Sequence, residues 1–429
     1  MKGARTGARG GASPVRLLTL TSLFPSAARP RHGIFVETRL KQIVATGHVT
    51  AQVIAPVPWF PFSHRIFGRY ALLAKTPTDA CRNGLRVTHP RYLAVPKVGV
   101  PWHARSMARS VVRHIRAGAE WFEVPDLVGG EYLYPDGVAA AIVASEIRRP
   151  YVLTARGTDV NVLAREPRLQ EPILRAIRGA ATTITVSAAL RDSLLDLGCD
   201  ASKIVCLRNG VDLDLFRPID RKSARSKLGI AGKRVLASIG NLVPEKRHAL
   251  VINALPSITG AVYVIVGDGP ERGTLERLAA DRSVRERVLF LPGRNQSDLI
   301  DIYSAADVFV LPSSREGWPN VALEALACGT PVVAADVGGV REIIAGSPGS
   351  IAVDGSHSKD FADALLQLLR EPPDRSAIRR HAEQFSWSTV IAAQTELYES
   401  IVVSHSLRFR QFAYGEISGR SSTGASSSA

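Results

Sequence analysis

Short apolar runs alternate with stretches of helical period along most of this chain. The clearest instance spans 308–333, VFVLPSSREGWPNVALEALACGTPVV. An apolar run at 308–311 closes at Pro312, as a buried parallel strand would. The polar stretch 313–317 reads as a loop. Pro319 suits the first position of a helix, and Val321, Leu323, Ala325 and Leu326 carry the helical period to a glycine stop at Gly329. A second apolar run follows. The same pattern predicts strands at 17–24, 53–56, 126–129, 151–154, 184–187 and 204–207, and again at 235–239, 261–266 and 288–291. It predicts helices at 34–45, 188–197, 299–305, 358–370, 374–384 and 387–403. Alternation of this length implies an α/β protein made of two doubly wound, Rossmann-like halves.

Breaks in the pattern set the boundaries. Residues 1–13 are rich in Gly and Arg and predict a disordered tail. Residues 14–225 form the first half, with a linker region at 217–233, and 234–386 form the second. An amphipathic stretch at 387–403 predicts a closing helix. Residues 404–429 end in SGRSSTGASSSA, a low-complexity tail expected to be disordered. The least regular part is 57–117, where aromatics and cations interleave: Trp59, Phe60 and Phe62, then Arg65, Phe67 and Arg69, and later Trp102. From Trp102 to Arg116 the spacing predicts a basic amphipathic helix, suited either to an anionic bilayer or to an ordinary protein surface.

Charge alters the picture in one respect. The 429 residues carry a net charge of +15. Residues 1–225 hold 33 Lys and Arg against 17 Asp and Glu, and residues 226–429 hold 21 against 22. A basic first half implies an anionic neighbour: a membrane surface, a lipid-linked phosphate or a nucleic acid. No nucleic-acid motif accompanies it, and a solubilising arginine-rich surface is the alternative. Cys81, Cys199, Cys206 and Cys328 show no metal-ligand spacing, so reduced, buried thiols of a cytoplasmic protein are expected. No apolar run approaches the roughly 18 residues of a membrane span. The apolar stretch near the start is short and interrupted by Thr19, Thr21 and Ser22, which favours a first strand over a leader.

Candidate chemistry centres on two glutamates eight positions apart. Glu316 lies in the loop at the carboxyl end of its strand, where open α/β sheets bind ligands. Glu324 follows about two turns into the helix, on roughly the same side. One acid can therefore meet one part of a ligand and the other a second part, with free amides at the helix start holding an anion between them.

Glu-x7-Glu within PSSREGWPNVALEALACGTPVVA resembles the signature of the family 4 glycosyltransferases, retaining enzymes of the two-domain GT-B fold. The resemblance covers roughly 14–403 and is densest at 235–345. It implies transfer of a sugar from a nucleotide sugar, a uridine diphosphate donor ahead of a guanosine diphosphate one, with no cofactor and no metal. It implies that Glu316 meets the sugar hydroxyls and Glu324 the ribose. Gly33, Lys246, Arg294, Gly317 and Asn320 fall at donor-binding positions, with Arg294 in a loop edging the nucleobase pocket. Two positions depart from the family pattern. Asn241 stands where an arginine that holds the diphosphate is expected, leaving Arg156, Arg247 or Arg294 to replace it. Arg156 stands where a histidine commonly contacts the transferred sugar, with Gly157 and Asp159 kept. Arginine cannot serve as a proton-transfer base but can hold an anion, so Arg156 reads either as a catalytic-site contact beside an acceptor-side Asp159 or as that residue's ion-pair partner. The acceptor expected is a saccharide or lipid-linked saccharide of envelope or exopolysaccharide synthesis. The location expected is cytoplasmic, with peripheral contact at the inner face of the membrane and no nucleic-acid partner. The alternatives are a catalytically silent GT-B binding module, a sugar-nucleotide epimerase and, from GDGPE at 267–271 alone, a dinucleotide oxidoreductase.

Overall fold

The computed structural model describes residues 13–420 apart from 63, 65, 67, 68, 96 and 119–122. The predicted tail at 1–13, apart from Ser13, together with Arg65 and Phe67, lies outside the described residues. The first half contains β1 (Val15–Leu20), β2 (Val49–Ile54), β3 (Val57–Pro58), β4 (Asp79–Arg82), β5 (Leu85–Thr88), β6 (Arg91–Tyr92), β7 (Leu127–Gly130), β8 (Tyr151–Ala155), β9 (Thr182–Thr185) and β10 (Ile204–Cys206). Eight of them form one sheet in the order β10-β9-β8-β7-β1-β2-β5-β4, and β3 pairs separately with β6. Only the β4–β5 pairing in that sheet is antiparallel. The second half contains β11 (Arg234–Ile239), β12 (Ala261–Val266), β13 (Val288–Leu291), β14 (Val308–Leu311), β15 (Val332–Ala335) and β16 (Ile351–Val353). They form a parallel sheet in the order β13-β12-β11-β14-β15-β16.

The reason for these strands is visible in β12, AVYVIV, where every residue is buried. A parallel strand covered by helices on both faces selects uninterrupted β-branched and apolar residues rather than alternation. Each such side chain contributes about 1.5–3 kcal/mol by leaving water. Both sheets reverse their order near the centre, between β1 and β7 in the first and between β11 and β14 in the second. Ligands of open α/β sheets bind at the carboxyl ends of strands flanking such a reversal.

The closing helix is longer than predicted. It begins at Trp387 and runs to Arg420, through much of the segment expected to be a disordered tail. Its first turns return to the first half, where Trp387, Ile391 and Tyr398 join the core beside Val36, Leu40 and Ile43. Arg39 is fully buried at this junction. Its guanidinium donates to Gln394 Oε1 at 2.7 Å, and to the Leu207 carbonyl and Asn209 Oδ1 at 3.0 Å each. Those bonds offset the cost of a buried cation, and burial with the nearby Arg156 charge pulls Arg39 down to about 10.

Three further expectations change. The segment 217–233 is not a free linker: it carries the helix Arg221–Lys227, with Arg225 donating to the Ala305 carbonyl and Lys227 pairing with Asp301. Of the four thiols only Cys328 is buried, and Cys81 is exposed. The predicted basic helix is His103–Arg116, but its apolar side is already used. Ala104, Met107, Ala108 and Val111 are buried within the first half, so that side does not lie on a bilayer. Among the described residues no helix is long and apolar enough to cross a membrane.

Candidate active site

Loops at strand carboxyl ends converge between the halves, among them those after β1, β7, β8 and β10 on one side and after β11, β12, β13, β14 and β15 on the other. The loop after β14 is held tightly. A Cβ at Gly317 would overlap the backbone carbonyl of Arg156, and Gly157 faces Gly317 directly. The Gly317 carbonyl accepts from the Gly339 amide at 3.1 Å, in the loop after β15. Two backbones meet here without room for a side chain, which is why this position reads as glycine.

The arrangement gives two adjoining cavities. The first, of about 330 Å³, is lined by Phe35, Arg156, Lys246, Arg315, Glu316 and Asn320 among others. The second, of about 370 Å³, is lined by Arg31, Phe35, Arg294, Gln296, Asn320 and Glu324 among others. Phe35 and Asn320 belong to both. Asn320 opens the helix Asn320–Ala327, whose first turn has no side-chain cap. Its free amides therefore stand between the cavities, where an anion would be satisfied by them.

Lys246 and Glu316 come together in the first cavity, with the ammonium 2.6 Å from the carboxylate and both side chains largely shielded. Each orients the other while leaving capacity for a ligand, since an ammonium has three donors and a carboxylate about four acceptor sites. Glu324 is almost wholly buried and lines the second cavity. Its carboxylate accepts from the Tyr303 hydroxyl at 2.6 Å and from Gln296 at 3.3 Å. Burial lifts this carboxyl above the usual carboxylate range, against the pull of those two donors. Burial also raises Tyr303 far above an ordinary phenol, keeping it a donor.

Arg156 lines the first cavity, and its partner is Glu131 rather than Asp159. The guanidinium also lies over the Phe35 ring, 5.1 Å from its centre. Among the described residues its buried Nε has no hydrogen-bond partner. Asp159 is fully buried and does not face the cleft. Its carboxylate accepts from the backbone amides of Leu133, Arg156, Gly157 and Val160 at 2.7–3.2 Å. The expected acceptor-side contact is thus a loop organiser, because four amides saturate it.

Other predicted residues are placed less directly. Gly33 starts the Ile34–Ala45 helix with φ +71°, tucked against the Leu23 carbonyl, and it is Phe35 beyond it that reaches the cavities. Asn241 is exposed and lines neither cavity. Arg247, one candidate to replace the missing cation there, is committed to the Pro312 and Ser313 carbonyls at 2.8 and 2.9 Å. Arg294 reaches the second cavity. Sequence reasoning missed Glu131, Arg315, Gln296 and Tyr303. It also missed Arg31, which crosses the cleft to pair with Asp268 at 2.7 Å. Arg315, Gln296 and Arg31 carried a signal, by standing beside residues already singled out.

Comparison with known proteins identifies the family. Residues 39–215 match the family described as Glycosyltransferase Family 4, and residues 220–385 match Glycosyl transferases group 1. The chain is 30% identical over 397 residues to TuaC of Bacillus subtilis strain 168, a glycosyltransferase named for teichuronic acid biosynthesis, covering 90% of this chain and 94% of that one. Sucrose-phosphate synthase of Thermosynechococcus elongatus superposes with a TM-score of 0.74 at 19% identity, over 91% of this chain and 100% of that one. Anabaena HepE, solved in complex with UDP and glucose, superposes with a TM-score of 0.68 at 22% identity, over 90% of this chain and 100% of that one. With these similarities across both halves, the chain belongs to the family 4 glycosyltransferases of the GT-B fold.

Proposed function

We propose that this glycosyltransferase takes its sugar from a uridine diphosphate donor. The acceptor is a saccharide or lipid-linked saccharide of envelope polysaccharide synthesis, and the anomeric configuration is retained. The observation that carries the donor reading is the pair of adjoining cavities, each with one glutamate and with an uncapped helix start between them. The nucleoside occupies the second cavity, its ribose hydroxyls donating to Glu324. Tyr303 and Gln296 have already turned that carboxylate, so little reorganisation accompanies binding. The diphosphate lies across the helix start toward Lys246. The sugar fills the first cavity against Glu316.

In transfer, the bond from the sugar C1 to the diphosphate oxygen breaks while a bond from C1 to the acceptor oxygen forms, and the acceptor hydroxyl's proton passes to the departing diphosphate oxygen. Negative charge grows on the diphosphate and positive charge on C1. Lys246 and the helix amides stabilise the first, and the carboxylate of Glu316 lies on the side of the second. Arg156, held by Glu131, lines the first cavity and can meet an anionic or hydroxyl group on the first-half side. TuaC supports an envelope acceptor by its name, and HepE supports UDP by what it holds.

The test is the melting temperature of the purified protein with UDP-, GDP-, ADP- and dTDP-sugars, and with NAD as control. A ligand bound only by the folded state raises it. A selective rise with UDP-sugars is expected. A rise with another nucleotide alone would replace the donor, and no rise with any would make a silent module the better reading.

A further inference from the structure

Asn209 follows β10, lines the first cavity and is 4% exposed. It joins three elements that lie far apart in the chain. Its Oδ1 accepts from the Arg39 guanidinium at 3.0 Å. Its Nδ2 donates across the cleft to Asn320 Oδ1 at 3.2 Å. Its backbone carbonyl accepts from Trp318 Nε1 at 3.1 Å. Trp318 and Asn320 flank Pro319 at the start of the helix that stands between the two cavities. That helix start is therefore gripped from the first half through Asn209.

The order of donors and acceptors along this line is forced. Arginine carries donors only, so the amide of Asn209 must turn its oxygen to Arg39 and its amino group to Asn320. That amino group can only donate, so Asn320 must in turn present its oxygen to Asn209. The amino group of Asn320 is then left for another partner. Among the described residues it has none, and Asn320 lines both cavities. The first link is fixed too. Arg39 is 2% exposed, and its guanidinium is held by Gln394 Oε1 at 2.7 Å and the Leu207 carbonyl at 3.0 Å. A buried cation thus polarises a chain of two amides, each of which strengthens the next as a donor.

We infer that Arg39 and Asn209 are positioning residues that set Asn320 as a hydrogen-bond donor to the diphosphate of the nucleotide sugar. The inference rests on the uridine diphosphate reading above, which lays the diphosphate across this helix start. Asn320 turned the other way would aim its oxygen at the phosphates and repel them. The relay removes that orientation before the ligand arrives, so the site is preorganised for an anion. Arg39 and Asn209 act through Asn320 and need no contact with the phosphates themselves.

The experiment is calorimetric titration of UDP into the parent, Asn209→Asp, Asn320→Ala and the double variant. Asn320→Ala removes the final donor and should weaken UDP about tenfold. Asn209→Asp keeps the bond from Arg39, whose charge it balances, but has no donor to give. Asn320 then turns its amino group to the new carboxylate and its oxygen to the phosphates, so UDP should again bind at least about tenfold more weakly. In the double variant the loss should equal that of Asn320→Ala alone, because nothing remains to be turned. A merely structural role for Asn209 would not give this non-additivity. Binding of UDP by Asn209→Asp as tight as the parent's would overturn the inference. So would losses that add in the double variant, since the new charge would then act on the phosphates directly. Melting temperatures without ligand show which variants fold. If Asn209→Asp unfolds, Asn320→Asp at the half-buried helix start takes its place. It still accepts from Asn209 but turns an acceptor to the phosphates, so its loss should exceed that of Asn320→Ala, and a loss no greater would overturn the inference. A parent that binds GDP and not UDP would overturn the uridine reading and leave the relay to stand or fall on the same titrations with GDP. A parent that binds no nucleotide would overturn both.

Discussion

The two halves build their sides of the cleft from different materials. On the second half the chemistry sits in side chains that are already paired: Lys246 with Glu316, and Glu324 with Tyr303 and Gln296. On the first half most of the polar groups are spent on backbone. Asp159 holds four amides and Asp136 holds Ser22, while Arg156 and Asn161 line the first cavity and Arg31, Lys41 and Gln42 line the second. The second half is therefore preorganised for one ligand, while the first supplies a shaped wall and a basic outer surface. A constant donor and a variable acceptor would divide the molecule in this way.

The largest effect should come from the point where the halves touch. Gly317→Val places a side chain against the Arg156 carbonyl and forces the two loops apart. Misplacement of about 1 Å costs on the order of a hundredfold in rate, so transfer should fall by at least that much in a steady-state assay. Full activity would mean that the observed approach of the halves is not the working one. Next is Lys246→Ala, which removes a charge-assisted bond worth about 1.5–3 kcal/mol to the donor. Calorimetric titration with the donor should show this, and the gap from the parent should narrow as salt rises.

A smaller and pH-dependent effect is expected from Glu324. Its carboxyl is lifted by burial, so on acidification it gains its proton at higher pH than an exposed glutamate. Donor affinity should be flat above that point and fall below it. Glu324→Gln should lower affinity by about 1 kcal/mol and remove the pH dependence. A decline that survives the substitution would place the titrating group elsewhere.

The smallest effect belongs to the first half and concerns stability alone. Burial pushes Asp136 up to about 7, against the hydrogen bonds from Ser22. A carboxyl raised on folding favours the folded state most at low pH, and this contribution is lost as pH rises through about 7. Asp136→Asn should therefore raise the melting temperature at pH 8, by about 2–4 °C for each kcal/mol relieved, and raise it less at pH 5. An equal change at both pH values would contradict the assignment.

What could be read from the sequence follows the same division. In the second half the predicted strands 261–266, 288–291 and 308–311 coincide with those observed, because buried parallel strands are uninterrupted apolar runs with sharp ends. Glu316 and Glu324 were legible because they follow the carboxyl end of such a strand, and Lys246 because it matches a position of the family pattern. Their partners were not, since Tyr303 lies in the preceding helix and looks like any core aromatic. In the first half Asp159 was misread because a buried acid that caps amides has the same local sequence as one that meets a ligand. Glu131 was missed because it has no distinguishing neighbours, and its value comes only from β7 lying beside β1 and β8. The helix beyond Val403 was missed because serine-rich composition at the end of the chain outweighed its helical period.

The most direct test of the division of labour is to compare UDP with UDP-glucose as ligands of Glu316→Gln and Glu324→Gln by calorimetry. Glu324→Gln should weaken both ligands equally, since its cavity takes the nucleoside common to them. Glu316→Gln should weaken UDP-glucose and leave UDP nearly unchanged, since its cavity takes the sugar. If Glu316→Gln weakened both ligands equally while Glu324→Gln affected only UDP-glucose, the two cavities would be assigned the wrong way round.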